Sequence, residues 1–282
     1  MSTDAAPEYV LWPYTPSLIG GAIAAVCMAV LTTLHIWRLI RNRTWFCIPF
    51  IIGGLFETIG YAARAAANKD TETKIPYIIQ SILILLAPIL FAASIYMVLG
   101  RLIRRTDSAS LSIIRPTLVT KIFVAGDVFS FFVQGGGGGM LVQAKTKSAV
   151  QRGEYIILGG LILQIVIFGF FVVVASIWHR RINKFGTAAS VQISWKKYIH
   201  FLYGASALVM IRNTCRVIEY AMGKEAYLLS HEWPLYFYDF LPMLLVLVLS
   251  LSFYDHNIKP GHPLHSDGEI DMQRQYVDES SK

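Results

Sequence analysis

Seven long apolar runs, separated by short polar segments, set the rhythm of this chain. They fall at 17–39, 46–67, 77–100, 118–141, 156–178, 198–222 and 234–254. Each reaches the roughly 20 residues that carry a helix across a bilayer core. The predicted fold is all-α, a polytopic membrane protein built as a seven-transmembrane-helix bundle. Pro76 stands where a helix starts well. Pro88 lies inside the third run and predicts a kink. The fourth run is the most polar. Trp12, Trp37, Trp45, Trp178, Trp195 and Trp233 stand near run ends, where interfacial aromatic belts form.

Composition agrees with that pattern. Hydrophobic residues make up 55% of the 282 and charged ones 15%, where a soluble globule carries about 25% charged residues. The mean hydropathy is +0.51. The net charge of +7 does not point to nucleic acid, because the basic residues sit in the short loops, where they act as topology signals. With the N-terminus outside, fifteen Lys and Arg residues fall on inner segments and six on outer ones. The expected topology is N-terminus outside and C-terminus cytoplasmic. The expected organisation is an extracellular segment at 1–16, a transmembrane domain at 17–255 and a disordered cytoplasmic tail at 256–282. No cleavable signal peptide is expected, since the first run is too long for one. Cys27, Cys47 and Cys215 lie in or at the edge of apolar runs, which suits packing better than a disulfide framework.

Ionisable groups inside spans are costly and mark candidate sites. Here they form stripes at helical spacing. Glu57 and Arg64 are seven apart in the second run. Asp127, Gln134 and Gly138 share a face of the fourth. Arg212, Arg216 and Glu219 stand at i, i+4 and i+7 in the sixth, Asp239 lies one turn into the seventh, and Gln80 begins the third. A rise of about 1.5 Å per residue puts Glu57 and Asp127 near mid-membrane and the others in the outer half. These nine side chains are the predicted polar cluster. Two readings stand side by side: a set of ion pairs that fixes helix register, or a substrate-binding cavity open toward the outer leaflet. One acid is left over in this count, the group a proton-coupled step would exploit.

The fourth run also contains five consecutive glycines, Gly135 to Gly139. Each costs a helix interior about 1 kcal/mol relative to alanine. Small residues let helices approach closely, so all five are expected to pack against a neighbouring helix beside the cluster. A bulky residue at Gly138 is expected to do more harm than one at Gly159.

Five segments resemble one fungal family in order. "FETIGYAAR", "YIIQSILILLAPILFAASIYMVLGRLI", "GDVFSFFVQGGGGG", "IRNTCRVIEYAMG" and "HEWPLYFYDFLPM" are similar to motifs of the lipid-translocating exporters, the RTA-like seven-helix proteins. The likeness spans about residues 9–262, and the tail is not covered. The five-glycine run departs from the shorter glycine runs of that family. The resemblance implies a plasma-membrane or other endomembrane protein tied to movement of membrane lipids or amphiphilic small molecules. Sphingoid long-chain bases and toxic metabolites are its implied substrates. It carries over no catalytic residues.

Two other classes are weighed against a transporter. A seven-helix receptor or lipid sensor would share the topology, yet the third run ends "VLGRLIRR" without Asp-Arg-Tyr and the seventh lacks Asn-Pro-x-x-Tyr. A metal-dependent lipid enzyme would need His or Cys ligands at one depth. His35, His179, His200, His231 and His256 instead fall at expected helix ends or loops, and His262 and His265 in the tail. No metal, cofactor or catalytic activity is expected. No nucleotide-binding G-x-x-x-x-G-K-[ST] loop is present.

Overall fold

The structure, a computed structural model, describes residues 14–69, 74–144, 146–192, 194–222 and 231–254. The tail beyond 254 and most of the segment at 1–16 lie outside the described residues, so the expectations placed on them stay there. All regular structure among the described residues is helical. In chain order it comprises α1 (Leu18–Asn42), α2 (Ile48–Ala66), α3 (Lys74–Arg105), α4 (Pro116–Gln143), α5 (Lys147–Phe185), the short α6 (Ala188–Gln192), α7 (Trp195–Met222) and α8 (Leu241–Ser250).

Local chemistry sets the ends. Ser17 caps α1, its Oγ accepting from the Gly20 N–H at 3.2 Å. Arg43, at φ 49°, turns the chain out of α1, and a 3-10 turn at Trp45–Cys47 leads into α2. Pro49 and Pro116 stand in the first turns of α2 and α4, where a missing N–H costs nothing. Thr146 caps α5.

Among the described residues, six helical segments are long and apolar enough to cross a membrane: Leu18–Asn42, Trp45–Ala66, Ile75–Arg105, Pro116–Leu141, Ser148–Phe185 and Leu235–Phe253. This is a multi-pass integral membrane protein. The sixth predicted run is also helical, as the 28-residue α7, but it is less apolar than the other six and stands outside that set. Outward faces carry Ile19, Val26, Phe132 and Val166, all exposed, as a surface solvated by lipid requires.

Helices adjacent in sequence pack side by side from α1 through α5. α5 then packs on α7, α7 on α8 and α3, and α8 returns to α1. α3 lies at the centre, with 67% of its apolar window buried against 22% for α4. Its Tyr96 packs in an aromatic group with Phe123, Phe168 and Phe171. Pro88, inside α3, removes the N–H that would bond the carbonyl four residues back. That carbonyl, on Ile84, is taken by Arg212 of α7 at 3.2 Å.

The glycines fall differently from expectation. Only Gly137 of the five on α4 packs closely; a Cβ there would lie 2.8 Å from the Gly153 carbonyl oxygen and from Ile157. A Cβ at Gly135, Gly136, Gly138 or Gly139 meets nothing within 4 Å. The helical period explains this. The face of α4 against α5 is Gly126, Ser130, Gln134, Gly137 and Leu141, which meet Ile167, Gly160, Ile157 and Gly153. Gly138 and its neighbours turn away from that seam. Gly159 is equally open, so packing gives no ground for the expected contrast between Gly138 and Gly159; the close contacts are those of Gly137 with Gly153 and Ile157 and of Gly160 with Gln134. The single tightest glycine contact lies on α2, and two more there are about as close as that of Gly160, where a Cβ would lie 2.6 Å from Gln134. A Cβ at Gly54 would sit 2.3 Å from Thr32 Oγ1, one at Gly53 2.6 Å from Phe91, and one at Gly60 2.7 Å from Ile84.

Candidate functional site: a buried ion network

The polar stripe of α7 meets Asp239, from the turn before α8, in one network. Asp239 sits between two arginines. Its Oδ1 accepts from Arg212 Nε at 2.6 Å, and its Oδ2 accepts from Arg216 Nη2. Arg212 is fully buried and uses each of its nitrogens. Nη1 reaches Asn213 Oδ1 at 3.3 Å and Nη2 the Ile84 carbonyl. Arg216 Nη1 pairs with Glu219 Oε2 at 3.1 Å, one turn along its own helix.

A π-helical turn at Leu235–Phe240, directly before α8, delivers Asp239 to this site. Leu241 donates to the carbonyl of Tyr236, five residues back, and Pro242 in the next position has no N–H to continue a normal ladder. The wider turn carries Tyr238 and Asp239 into the interior, where both are buried. Such turns recur at functional sites.

Arg64 forms a second group near the start of α1. It pairs with Glu232 at 2.9 Å and donates to Gln80 Oε1 at 3.2 Å and Tyr14 OH at 2.9 Å. The rings of Tyr14 and Tyr236 flank its guanidinium, with centroids at 5.5 and 5.8 Å. Glu232 also accepts from the Ser17 backbone N–H, at 3.0 and 2.9 Å, and from Tyr236 OH at 2.9 Å. One carboxylate therefore ties together the beginning of α1, the end of α2 and the turn before α8.

Glu57 differs from every acid just described. It is 1% exposed, and neither carboxylate oxygen has a hydrogen-bond donor among the described residues. Its electrostatic neighbours are Asp239, Arg212 and Arg216, which places it beside the network. One turn on, the buried Tyr61 stacks with Tyr236 and meets Phe240 edge-on, and its hydroxyl is also without a partner. Arg216 Nε and Asn213 Nδ2 complete this set of uncommitted polar atoms. Buried polar groups are overwhelmingly hydrogen-bonded, so their concentration here makes this the candidate site.

Of the nine predicted residues, five gather in the central network: Glu57, Arg212, Arg216, Glu219 and Asp239. Gln80 and Glu232 gather around Arg64. Asp127 and Gln134 are held elsewhere. Asp127 accepts from Tyr96 OH of α3 at 2.7 Å, and Gln134 donates to Gln164 Oε1 of α5 at 3.1 Å. The face of α4 that carries them packs on α3 and α5, away from α7 and α8. Charge balance shifts accordingly. Glu232, outside the predicted cluster, neutralises Arg64, and Asp239 and Glu219 match Arg212 and Arg216. Two acids, Glu57 and Asp127, are then left without a cation instead of one. The signal for Glu232 was its place two residues before Pro234, where a helix start would put it level with Arg64.

His35 also departs from expectation. It is not at an interface but fully buried, bonding Tyr254 OH at 2.8 Å and the Leu247 carbonyl at 3.0 Å. The carbonyl accepts only, so Nε2 carries the proton and Nδ1 receives the tyrosine O–H. With Arg38 on the Leu251 carbonyl and Asn42 on that of Tyr254, α1 satisfies the free carbonyls at the end of the last span. Among the described residues, no group of three or more His, Cys, Asp or Glu could hold a metal.

The sequence matches the RTA1 like protein family over residues 50–262. The chain belongs to that family. The matched region holds every member of the central network. This RTA1-like chain is 38% identical to protoporphyrin uptake protein 1 of Saccharomyces cerevisiae over 212 residues, 71% of the chain and 66% of that protein. It thus spans just under two thirds of that relative's length. It is 32% identical to protein RTM1 of Saccharomyces cerevisiae over 88% of the chain and 93% of the relative. It is 24% identical to the sphingoid long-chain base transporter RSB1 of the same species, over 85% and 72%. No solved structure matches the chain.

Proposed function

We propose that this protein moves lipids or amphiphilic small molecules across the membrane, outward, without catalysing a chemical reaction, and that Glu57 receives a cationic head group. The carrying observation is the donorless carboxylate of Glu57 beside a network whose arginines are already matched by acids. An amine is the complement of that carboxylate. A phosphate would have to displace Asp239 or Glu219 from Arg212 and Arg216, so the site favours an amino amphiphile over its phosphorylated form. Relatives named for protoporphyrin uptake and for sphingoid long-chain base transport support movement of amphiphiles in general.

In this reading α7 also crosses the membrane, as the sixth of seven spans, its charges sheltered between α3, α5 and α8. The N-terminus lies outside and the C-terminus in the cytosol, following the bias of basic residues, and the protein resides in the plasma membrane. The Arg64–Glu232 group then faces the exterior.

The test uses purified protein in liposomes with a fluorescent long-chain base and its phosphorylated counterpart. Wild-type protein is expected to move the base, and Glu57→Gln to lower transport by about tenfold or more, a loss of roughly 1.4 kcal/mol in affinity or barrier. Equal binding and transport by Glu57→Gln would sink the site assignment. Binding without movement would replace the transporter with a sensor.

A further inference from the structure

Hydroxyls in the helices of a membrane protein ordinarily bond the carbonyl one turn back. Thr32 does so to Met28, Thr58 to Gly54, Ser130 to Gly126 and Thr214 to Met210. Three buried serines do not. Ser94 of α3, Ser206 of α7 and Ser250 of α8 are at most 2% exposed, and their Oγ atoms have no partner among the described residues. They stand one each on three helices that meet around α7.

Helix register puts them in sequence below Glu57. Gly60 faces Ile84 and Gly53 faces Ala87, which sets Glu57 level with about residue 86 of α3. Arg212 bonds Ile84, so that level corresponds to about residue 210 of α7. Ser206 lies one turn lower, about 6 Å along the axis. Gly204 contacts Leu249, so Ser206 and Ser250 flank one contact between facing helices. Ser94, ten residues past Ile84, falls level with about residue 202, another turn down. The uncommitted groups thus step from Glu57 toward the end of the bundle where the last span finishes at Phe253.

We propose that Ser206, Ser94 and Ser250 line a narrow water-filled path joining Glu57 to that end of the bundle, the cytoplasmic end in the topology proposed above. Water can satisfy each hydroxyl and link them into one chain, as buried waters do at polar sites with several partners. The path gives the buried carboxylate a proton-exchange route to one side of the membrane. That assignment of side rests on the proposed topology; the path itself does not depend on transport.

Silver ion, close to water in size, tests it directly through introduced thiols. Full-length protein with Cys27, Cys47 and Cys215 replaced by Ala would carry Ser206→Cys, Ser250→Cys or, as a control, Val174→Cys on α5, which is equally buried and packed in the apolar core. Protection from later alkylation after unfolding reports reaction with silver. Ser206→Cys and Ser250→Cys are expected to react about tenfold or more faster than Val174→Cys. Equal rates would overturn the path, whether or not the protein moves lipid. Should the cysteine-free chain fail to fold, a structure of the natural sequence fine enough to show water decides the matter. Ordered water on Ser206 Oγ and on Ser94 or Ser250 supports the path. Hydroxyls turned back onto their own helices overturn it.

Discussion

α2 and α4 look alike on paper, since each combines a buried acid with glycines in an apolar helix. In space they do opposite things. On α2 the glycines at 53, 54 and 60 press against Phe91, Thr32 and Ile84, and this close packing holds Glu57 against the network without a donor. On α4 four of the five glycines in the run at 135–139 face open space, while Asp127 is held by the Tyr96 hydroxyl. A glycine run therefore says nothing about packing until the helical face is known. A buried acid says little about function until its donors are counted.

The largest test of this contrast lies in the network that α2 supports. Arg212→Ala leaves the Asp239–Arg216–Glu219 group short of a cation and should cost about 3–5 kcal/mol, seen as a large drop in thermal stability or in folded yield. Next come the glycines. Gly54→Val and Gly137→Val should each destabilise by roughly 1–3 kcal/mol through overpacking, whereas Gly136→Val and Gly138→Val should stay within about 0.5 kcal/mol. Comparable losses at Gly136 and Gly54, by thermal melting in detergent, would erase the distinction between the two helices. Tyr96→Phe removes the donor that Asp127 uses and should cost about 1–3 kcal/mol, while Tyr61→Phe, which removes a partnerless hydroxyl, should cost less. The smallest effect belongs to Pro88→Ala. It restores an N–H that competes with Arg212 for the Ile84 carbonyl, and we expect a change of under about 1 kcal/mol.

Much of this architecture was legible in hydropathy alone. All seven apolar runs became helices, because in lipid an apolar segment has few other ways to satisfy its backbone. The stripe of α7 was legible through its spacing, since Arg212, Arg216 and Glu219 repeat at helical intervals and had to face protein. Spacing on one helix, however, cannot say which neighbour occupies that face. Asp127 and Gln134 share a face as expected, yet that face meets α3 and α5. The turn before α8 was hidden as well. Pro242 hinted at an irregular ladder, but the sequence does not distinguish a π-helical turn from a kink, and it is this turn that carries Asp239 inward. Glu232 escaped notice because it stands outside the last apolar run, where an acid ordinarily belongs to a loop. α5 runs longer than its predicted span, over 39 residues, since polar ends stay helical beyond the apolar part.

The open glycines of α4 alter the outline of the protein itself. A helix measures about 10–12 Å across with side chains, while its Cα atoms lie only about 2.3 Å from the axis. Where Gly135, Gly136, Gly138 and Gly139 turn outward, that outer shell is missing for more than one turn, just past the exposed ring of Phe132. The flank of the bundle is therefore notched to a depth of roughly 3 Å, with a floor of bare backbone and a rim of phenylalanine. A hydrocarbon tail can lie closer to the protein axis at this notch than along a helix face fully clothed in side chains.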